Sequence, residues 1–375
     1  MAPKGASKHA PAKTNPPPNT TAKDSDSPPT CESFSPAKMS LDTYKRLLSC
    51  YPTTVKTVQR LSALRDLQPE KVVKDKPSPL KKTFFSAEEE DQVREKVNAF
   101  LELDEWRYEE FPQTIASRKQ ESSTDLHLTK EEVLKVVEWK LKHGVNRPWL
   151  LGQVRNKNTS QAIEKTTKEA LAALPTDPTA EKENLLPIES LGILNDLHAI
   201  GPATSSLLLS LATKSSPPPL QVPFFSDPLF AWLVGNDFPE TYASAVTAGN
   251  VVSGWTAGRR AAECVDSPQK GPTTGSNQGI FTLGPSKEVK CRYTTKEYVS
   301  LWREATSFRD RLSAEGGEIT MTDLEKVGYV LANIAVSGFY EGFDAWGILE
   351  MSDKQRAVAL GRIVGGSSGG WIAGG

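Results

Sequence analysis

Residues 188–211 read IESLGILNDLHAIGPATSSLLLSL, and this stretch decides the fold class. Apolar side chains recur at helical spacing up to Leu197, and a second apolar run begins after Gly201 and Pro202. Glycine permits a tight turn, and proline suits the first position of a helix because its missing N–H would be unpaired there. The stretch therefore predicts two short helices joined by a tight turn at Gly201, a hairpin that spans residues 187–213.

Helix-start signals recur on both sides of this hairpin. A Ser or Thr followed three residues later by Glu forms a capping box, in which both side chains bond free N–H groups at the helix start. Such boxes occur at Ser86, Thr129, Thr294 and Thr322. Strand signals are confined to residues 281–293, where two short strands are predicted to pair. We therefore expect an all-α multi-helix domain of about eight to ten helices.

Composition divides the chain into segments. Residues 1–40 hold eight prolines and no Leu, Ile, Val, Trp or Tyr, so they are predicted to be disordered. A helical domain is expected over residues 41–233. Residues 234–293 are rich in Gly, Ser and Thr without a helical period, which indicates an irregular insertion. Helices over residues 294–345 complete the domain, and a C-terminal tail follows over residues 346–375.

Charge and cysteine content exclude several classes of protein. The 375 residues carry a formal net charge of −1, so any nucleic-acid contact must come from a local basic patch. The four cysteines are scattered, and no C-x-x-C pair is present, so we expect no metal and no cofactor. No apolar run reaches about 18 residues, and the first residues lack an apolar core. We expect an intracellular protein, nuclear or cytoplasmic, with no contact to membranes.

Asp227 has two interpretations that the sequence leaves open. The segment Ser226-Asp227-Pro228 is a good helix start, with Asp as N-cap and Pro at the first helical position. The same carboxylate could instead lie beside a flipped nucleotide, where it would activate water or stabilise a cationic sugar. In that case Phe224, Phe225 and Trp232 would wall the pocket.

A basic segment over residues 130–157 is the second candidate binding element. Its cations include Lys140, Lys142 and Arg147, with Trp139 and Trp149 interleaved. These tryptophans could stack on a base or fill the core, and the cations could contact DNA or form a solvated helix face. By contrast, the acidic cluster of Glu102, Asp104 and Glu105 is expected to lie at the surface.

The hairpin resembles that of the helix-hairpin-helix DNA glycosylase superfamily. That pattern, Leu-x-Gly-small apolar-Gly-x-x-Thr-Ala, corresponds here to Leu197-His-Ala-Ile-Gly-Pro-Ala-Thr-Ser205. A free helix start behind such a turn attracts phosphate, so the resemblance implies DNA contacts at Gly201, Ala203 and Thr204. It also implies a catalytic role for Asp227, because an Asp at the start of the next helix follows the hairpin in that family.

The chain is also similar to a eukaryotic group related to this superfamily, at Glu138-Trp-Lys-Leu-Lys-His-Gly144, Arg147-Pro148, Ile200-Gly-Pro-Ala-Thr204 and Phe225-Ser-Asp227. The resemblance spans about residues 85–235 and 290–335.

Several departures bear on chemistry. Ala199 stands at the first hairpin glycine, and Ala203 stands where bifunctional glycosylases carry their Schiff-base lysine, so lyase chemistry by that route is not implied. The iron–sulfur cysteines of one branch are absent. Pro202 removes one N–H from the phosphate-facing helix end. Lys214 is the only Lys or Arg between residues 183 and 258, so the hairpin itself is poor in cations.

Three functions therefore stay open at this point. The first is a DNA glycosylase-like enzyme, monofunctional in base excision. The second is a non-catalytic nucleic-acid or chromatin-binding module with the same fold, and the third is a helical protein-interaction module. The position of Asp227 relative to the hairpin turn, Lys140, Lys142 and Arg147 separates them.

Overall fold

The structure is a computed structural model, which describes residues 33–67, 85–122, 125–144, 147–238, 282–283 and 289–339. These residues form twelve α-helices: α1 (Leu41–Ser49), α2 (Tyr51–Asp66), α3 (Ala87–Glu105), α4 (Phe111–Glu121), α5 (Lys130–His143), α6 (Pro148–Lys157), α7 (Ser160–Ala172), α8 (Ile188–Leu194), α9 (Pro202–Ala212), α10 (Asp227–Leu233), α11 (Thr295–Ala314) and α12 (Met321–Ala332). Short 3-10 turns lie at Lys182–Leu185, Pro218–Leu220 and Ile334–Val336, and a π turn at Trp106–Glu110 joins α3 to α4.

The all-α prediction is confirmed for the described part of the chain. The strands described there are β1 (Thr282–Leu283) and β2 (Val289–Lys290), which pair antiparallel with Leu283 opposite Val289. This pair agrees with the strand signals in the sequence. Most of the predicted insertion, residues 239–281 and 284–288, lies outside the described residues. The predicted tail over residues 346–375 lies outside them as well.

Three of the four predicted capping boxes form as the sequence indicates. Ser86, Thr129 and Thr294 each accept a bond from the backbone N–H three residues on, and the Glu at that position bonds back. The box predicted at Thr322 is wrong. The α12 helix starts two residues earlier, with Thr320 as N-cap and Asp323 closing the box, and the carboxylate of Glu325 is used in the core.

The predicted boundary at residue 40 is wrong for residues 33–40. Phe34 and Met39 are completely buried in the main core. The Trp232 indole N–H donates to the carbonyl of Phe34 at 2.9 Å, and Arg311 donates to the carbonyl of Met39 at 2.8 Å. Eight prolines lie within residues 1–40, but residues 33–40 contain one of them and two apolar anchors, Phe34 and Met39, that hold the segment to the core. Residues 1–32 lie outside the described residues.

A buried polar network lies beneath α5 and α12. Arg107 of the π turn forms an ion pair with Glu325 at 2.5 Å, and the Tyr108 hydroxyl donates to the same carboxylate at 3.1 Å. Asp104 accepts the Trp139 indole N–H at 2.8 Å. The prediction that Asp104 lies at the surface is therefore wrong, because its carboxylate satisfies a donor that the core would otherwise leave unpaired.

Helices α8 and α9 are joined by residues 195–201, and the tight turn lies at Ala199. Ala199 has φ +62°, in the left-handed region where glycine is favoured. Gly201 has φ −112° and ψ −178°, which any residue adopts, so the prediction that Gly201 makes the turn is wrong. Asn158 holds the turn from outside, because its amide donates to the carbonyl of His198 at 3.0 Å and accepts the N–H of His198 at 2.8 Å.

Ala199→Gly should therefore stabilise the protein. It removes the cost of a left-handed alanine and adds some unfolded-chain entropy, for a net gain of about 0.5–1 kcal/mol. Urea unfolding measures the difference. Ala99→Gly is the matched control, since Ala99 is exposed within α3 and its loss should destabilise by about 1 kcal/mol. Destabilisation by both substitutions would contradict the assignment of the turn to Ala199.

Candidate functional site

One cavity of about 320 Å³ lies between α2, α5, α9, α10 and α12. The residues predicted from the sequence as catalytic or DNA-binding all line it: Lys140, Lys142, Arg147, Gly201, Ala203, Thr204 and Asp227. They come from three separate parts of the chain, residues 140–147, 201–204 and 227, and the fold brings them to one place. A Cβ added to Gly201 would meet nothing within 4 Å, so there is open space beside the N-cap residue of α9.

The ammonium group of Lys140 projects from the C-terminal half of α5 to the start of α9. Its Nζ donates to the hydroxyl of Thr204 at 2.7 Å, and Thr204 itself is buried. The pKa of Lys140 is lowered to about 8, chiefly by burial, with the carboxylate of Asp227 opposing the shift and the charge of Arg147 adding to it. The fold thus holds a cation beside the helix start that the sequence assigns to phosphate.

Asp227 is the first residue of α10, and it does not cap this helix. Ser226 is the N-cap, with its hydroxyl accepting the N–H of Leu229 at 3.3 Å. The interpretation of Asp227 as N-cap is therefore wrong, because the preceding serine performs that task. The segment before α10 is fixed to α9, where Ser206 accepts the N–H of Phe225 at 2.9 Å. The carboxylate of Asp227 is left for the cavity.

Tyr293 is a cavity residue that the sequence does not indicate. Its hydroxyl donates to Oδ1 of Asp227, 66 positions away in the chain. Its backbone has φ +57°, an unfavourable conformation for a bulky side chain, and its ring packs against Phe225 at 5.6 Å between centroids. Backbone strain of this kind costs about 1–3 kcal/mol and is concentrated at functional sites.

The ionisation of Asp227 reflects opposing effects. Burial raises the pKa of the carboxyl, and this is the largest effect. The hydrogen bond from Tyr293, then the charges of Lys140 and Arg147, lower it. Burial prevails, so the pKa of Asp227 lies above its ordinary value. Burial, and then the charge and hydrogen bond of Asp227, raise the pKa of Tyr293, which stays a hydrogen-bond donor.

The remaining charges make the cavity wall positive. Lys142 is exposed and pairs with Glu138 at 2.7 Å, and Arg147 is exposed at the start of α6. Arg65 of α2, which the sequence also did not indicate, lines the far end, where burial lowers its pKa to about 10. Glu325 reaches the wall too, but its charge is matched by Arg107.

Aromatic side chains form much of the cavity surface. Phe224 and Phe225 line it as predicted, whereas Trp232 is buried elsewhere in the core. Trp139 is fully buried, which excludes base stacking for that residue. His143 is stacked between Trp139 and Tyr329, at 4.4 and 4.0 Å between centroids, and burial holds its pKa well below 6.5. His143 is therefore neutral at physiological pH.

His198 forms part of the hairpin connection. Its side chain is exposed, and Nε2 lies 3.1 Å from the amide oxygen of Gln153 in α6.

Within the described residues, no group of three or more His, Cys, Asp or Glu side chains is placed to hold a metal ion. In the same residues, no helix is long and apolar enough to cross a membrane.

Comparison of the chain with protein-family models, with curated protein sequences and with solved structures found no match. The case for a function is therefore made by the motifs and by the geometry of the cavity.

Lys140→Met should raise the melting temperature by about 2–4 °C at pH 7, because the folded state then no longer holds a desolvated ammonium. The pKa of Lys140 is lowered on folding to about 8, so the wild-type protein regains this stability as pH rises from 8 towards 10.5. Thermal melts at pH 7 and pH 10 should show the difference shrinking. Lys142→Met, at an exposed position, serves as the control and should change little. A melting temperature of Lys140→Met below that of wild type at pH 7 would show that the desolvated ammonium of Lys140 does not destabilise the fold.

Proposed function

We propose that the chain is a DNA-binding protein of the helix-hairpin-helix glycosylase type, and that it excises a damaged base monofunctionally. The observation that carries the proposal is the convergence of Asp227, Lys140 and the start of α9 on one cavity. These groups are far apart in the sequence, and no local spacing relates them. A carboxylate, a cation and a free helix start around an aromatic-lined cavity suit a nucleotide withdrawn from the duplex.

The geometry of the hairpin supports the alignment with the glycosylase motif. Ala199 stands at the first glycine of the motif, and its φ of +62° is the conformation for which glycine is favoured. The second glycine, Gly201, precedes α9 without a side-chain cap. Pro202 has no N–H and the N–H of Thr204 bonds the carbonyl of Gly201 at 2.8 Å, so the N–H of Ala203 is the one offered to a backbone phosphate, with Lys140 and Arg147 supplying positive charge.

Asp227 is the proposed catalytic group. In its ionised form it stabilises the positive charge that develops on the sugar as the glycosidic bond breaks, or it accepts a proton from the attacking water. Tyr293 orients the carboxylate through Oδ1, which leaves the second oxygen for the reacting nucleotide. Ala203 supplies no amine at the motif's lysine position, so the proposed reaction ends at base release.

Asp227→Asn should abolish base release, because the amide carries no charge and is a poor base. The measurement is alkali-revealed strand cleavage across duplexes that each carry one deaminated, alkylated or oxidised base. Asp42→Asn is the matched control, since Asp42 is also in the first turn of a helix but is exposed in α1. Equal release by wild type and Asp227→Asn, or no release from any duplex by wild type, would refute the catalytic proposal.

Tyr293→Phe should shift the acid limb of the activity profile to higher pH. The tyrosine hydroxyl favours ionised Asp227, so its removal raises the pKa of that carboxyl further. Activity then falls at a higher pH on acidification, while the rate at the alkaline plateau changes less. The measurement is kcat/KM as a function of pH, with single-turnover rates of base release as the control. An unchanged acid limb would show that Tyr293 does not act through Asp227.

A non-catalytic DNA-binding protein is the second candidate. It is favoured by the bond from Tyr293, which occupies one oxygen of Asp227, and by the scarcity of cations within the hairpin. Binding that weakens steeply with salt and persists in Asp227→Asn, with no base release by either protein, would select it.

A further inference from the structure

One aromatic side chain outside the cavity is left uncovered. Trp149, at the start of α6, is 63% exposed, and no other large hydrophobic side chain in the described part of the chain is exposed. Single exposed hydrophobic residues are common on protein surfaces, so the exposure of Trp149 gains meaning only from the groups around it. Its indole offers a large flat apolar face to a ligand.

Trp149 lies on a helix that contributes to the cavity wall and contacts the hairpin connection. Arg147 precedes Trp149 in the chain and Leu150 follows it, and both residues line the cavity. Gln153 lies one turn further along the same face of α6 and contacts His198 of the hairpin connection. A strand that follows this surface therefore passes Trp149 next to the mouth of the cavity.

The charged residues of α6 and its flanks are all positive, and the exposed acid of the adjoining hairpin connection is Asp196. Residues 139–163 contain no Asp or Glu, and Arg147, Arg155 and Lys157 are exposed. Within the described residues, these three cations form no ion pair. Helix α6 has no acidic residue and no side-chain cap in its first turn, so its positive end adds to the field of Arg147. An aromatic face beside unpaired cations matches a base and its phosphate.

We infer that Trp149 is a stacking platform for an unpaired base of single-stranded DNA, with the adjoining phosphate held by Arg147 and the start of α6. The inference rests on the DNA binding in the proposed function and adds a preference for unpaired over paired DNA. The indole stacks on any base, because every base has a π face, so the preference is for strand state and not for sequence.

Fluorescence anisotropy with the full chain tests this inference without any base release. The ligands are a labelled single strand of about 12 nucleotides of mixed sequence and the duplex of the same sequence, in about 50 mM salt. Wild type should bind the single strand more tightly than the duplex. Trp149→Ala should weaken single-strand binding about tenfold, and Trp149→Tyr should restore it to within about threefold of wild type. Because Trp149 is exposed, thermal melts of the variants should match wild type.

The salt dependence separates stacking from charge. Trp149→Ala should leave the slope of log Kd against log salt unchanged, whereas Arg147→Gln should reduce it by about 0.7. Arg94→Gln removes one exposed charge from α3 and is the control, with an expected slope equal to wild type. Base release is not read out in this assay, so failure of the catalytic proposal leaves the binding result interpretable.

Three outcomes would overturn the inference. The first is wild-type affinity in Trp149→Ala, and the second is equal loss of duplex and single-strand binding in that variant. The third is binding of the wild-type chain to phosphatidylcholine vesicles with about 20% phosphatidylserine and no binding to DNA, which would assign the tryptophan and its cations to a lipid surface.

Discussion

The ion pair between Arg107 and Glu325 is the interaction on which the floor of the cavity depends. Both side chains are 2% exposed, so neither charge has water to replace its partner. Removal of one partner from such a pair costs about 3–5 kcal/mol. The guanidinium also lies 4.4 Å from the ring centroid of Trp139, whose indole N–H is fixed by Asp104. Lys140 follows Trp139 in α5, so the buried ion pair helps to fix the position of the Lys140 ammonium in the cavity.

Strain and opposed charges are both concentrated at this cavity. Three non-glycine residues have positive φ in the described part of the chain, and two of them, Ala199 and Tyr293, line the cavity. The surroundings of Lys140 and Asp227 disfavour the charged form of each side chain. Burial lowers the pKa of the amine and raises the pKa of the carboxyl. A protein tolerates such costs where the groups have a task, and the rest of the core supplies the stability that offsets them.

Local signals in the sequence predicted the helical fold and three capping boxes, because each depends on residues within one or two turns of one another. The site residues were predicted as separate motifs, and their convergence could be tested only in the folded chain. Tyr293 could not be found in this way, since its contact with Asp227 joins positions 66 apart across a predicted insertion. The buried Asp104 and the anchor Phe34 escaped for the same reason, because their partners, Trp139 and Trp232, are distant in sequence.

The central claim is that the cavity receives a nucleotide withdrawn from DNA. A crystal structure of the full chain with duplex DNA that carries a tetrahydrofuran abasic analogue tests it most directly. The account predicts the analogue in the cavity, within hydrogen-bonding distance of the Asp227 carboxylate, and a neighbouring phosphate at the start of α9 beside Lys140. DNA bound on another face, with Asp227 still bonded to Tyr293 and the cavity without a nucleotide, would contradict it.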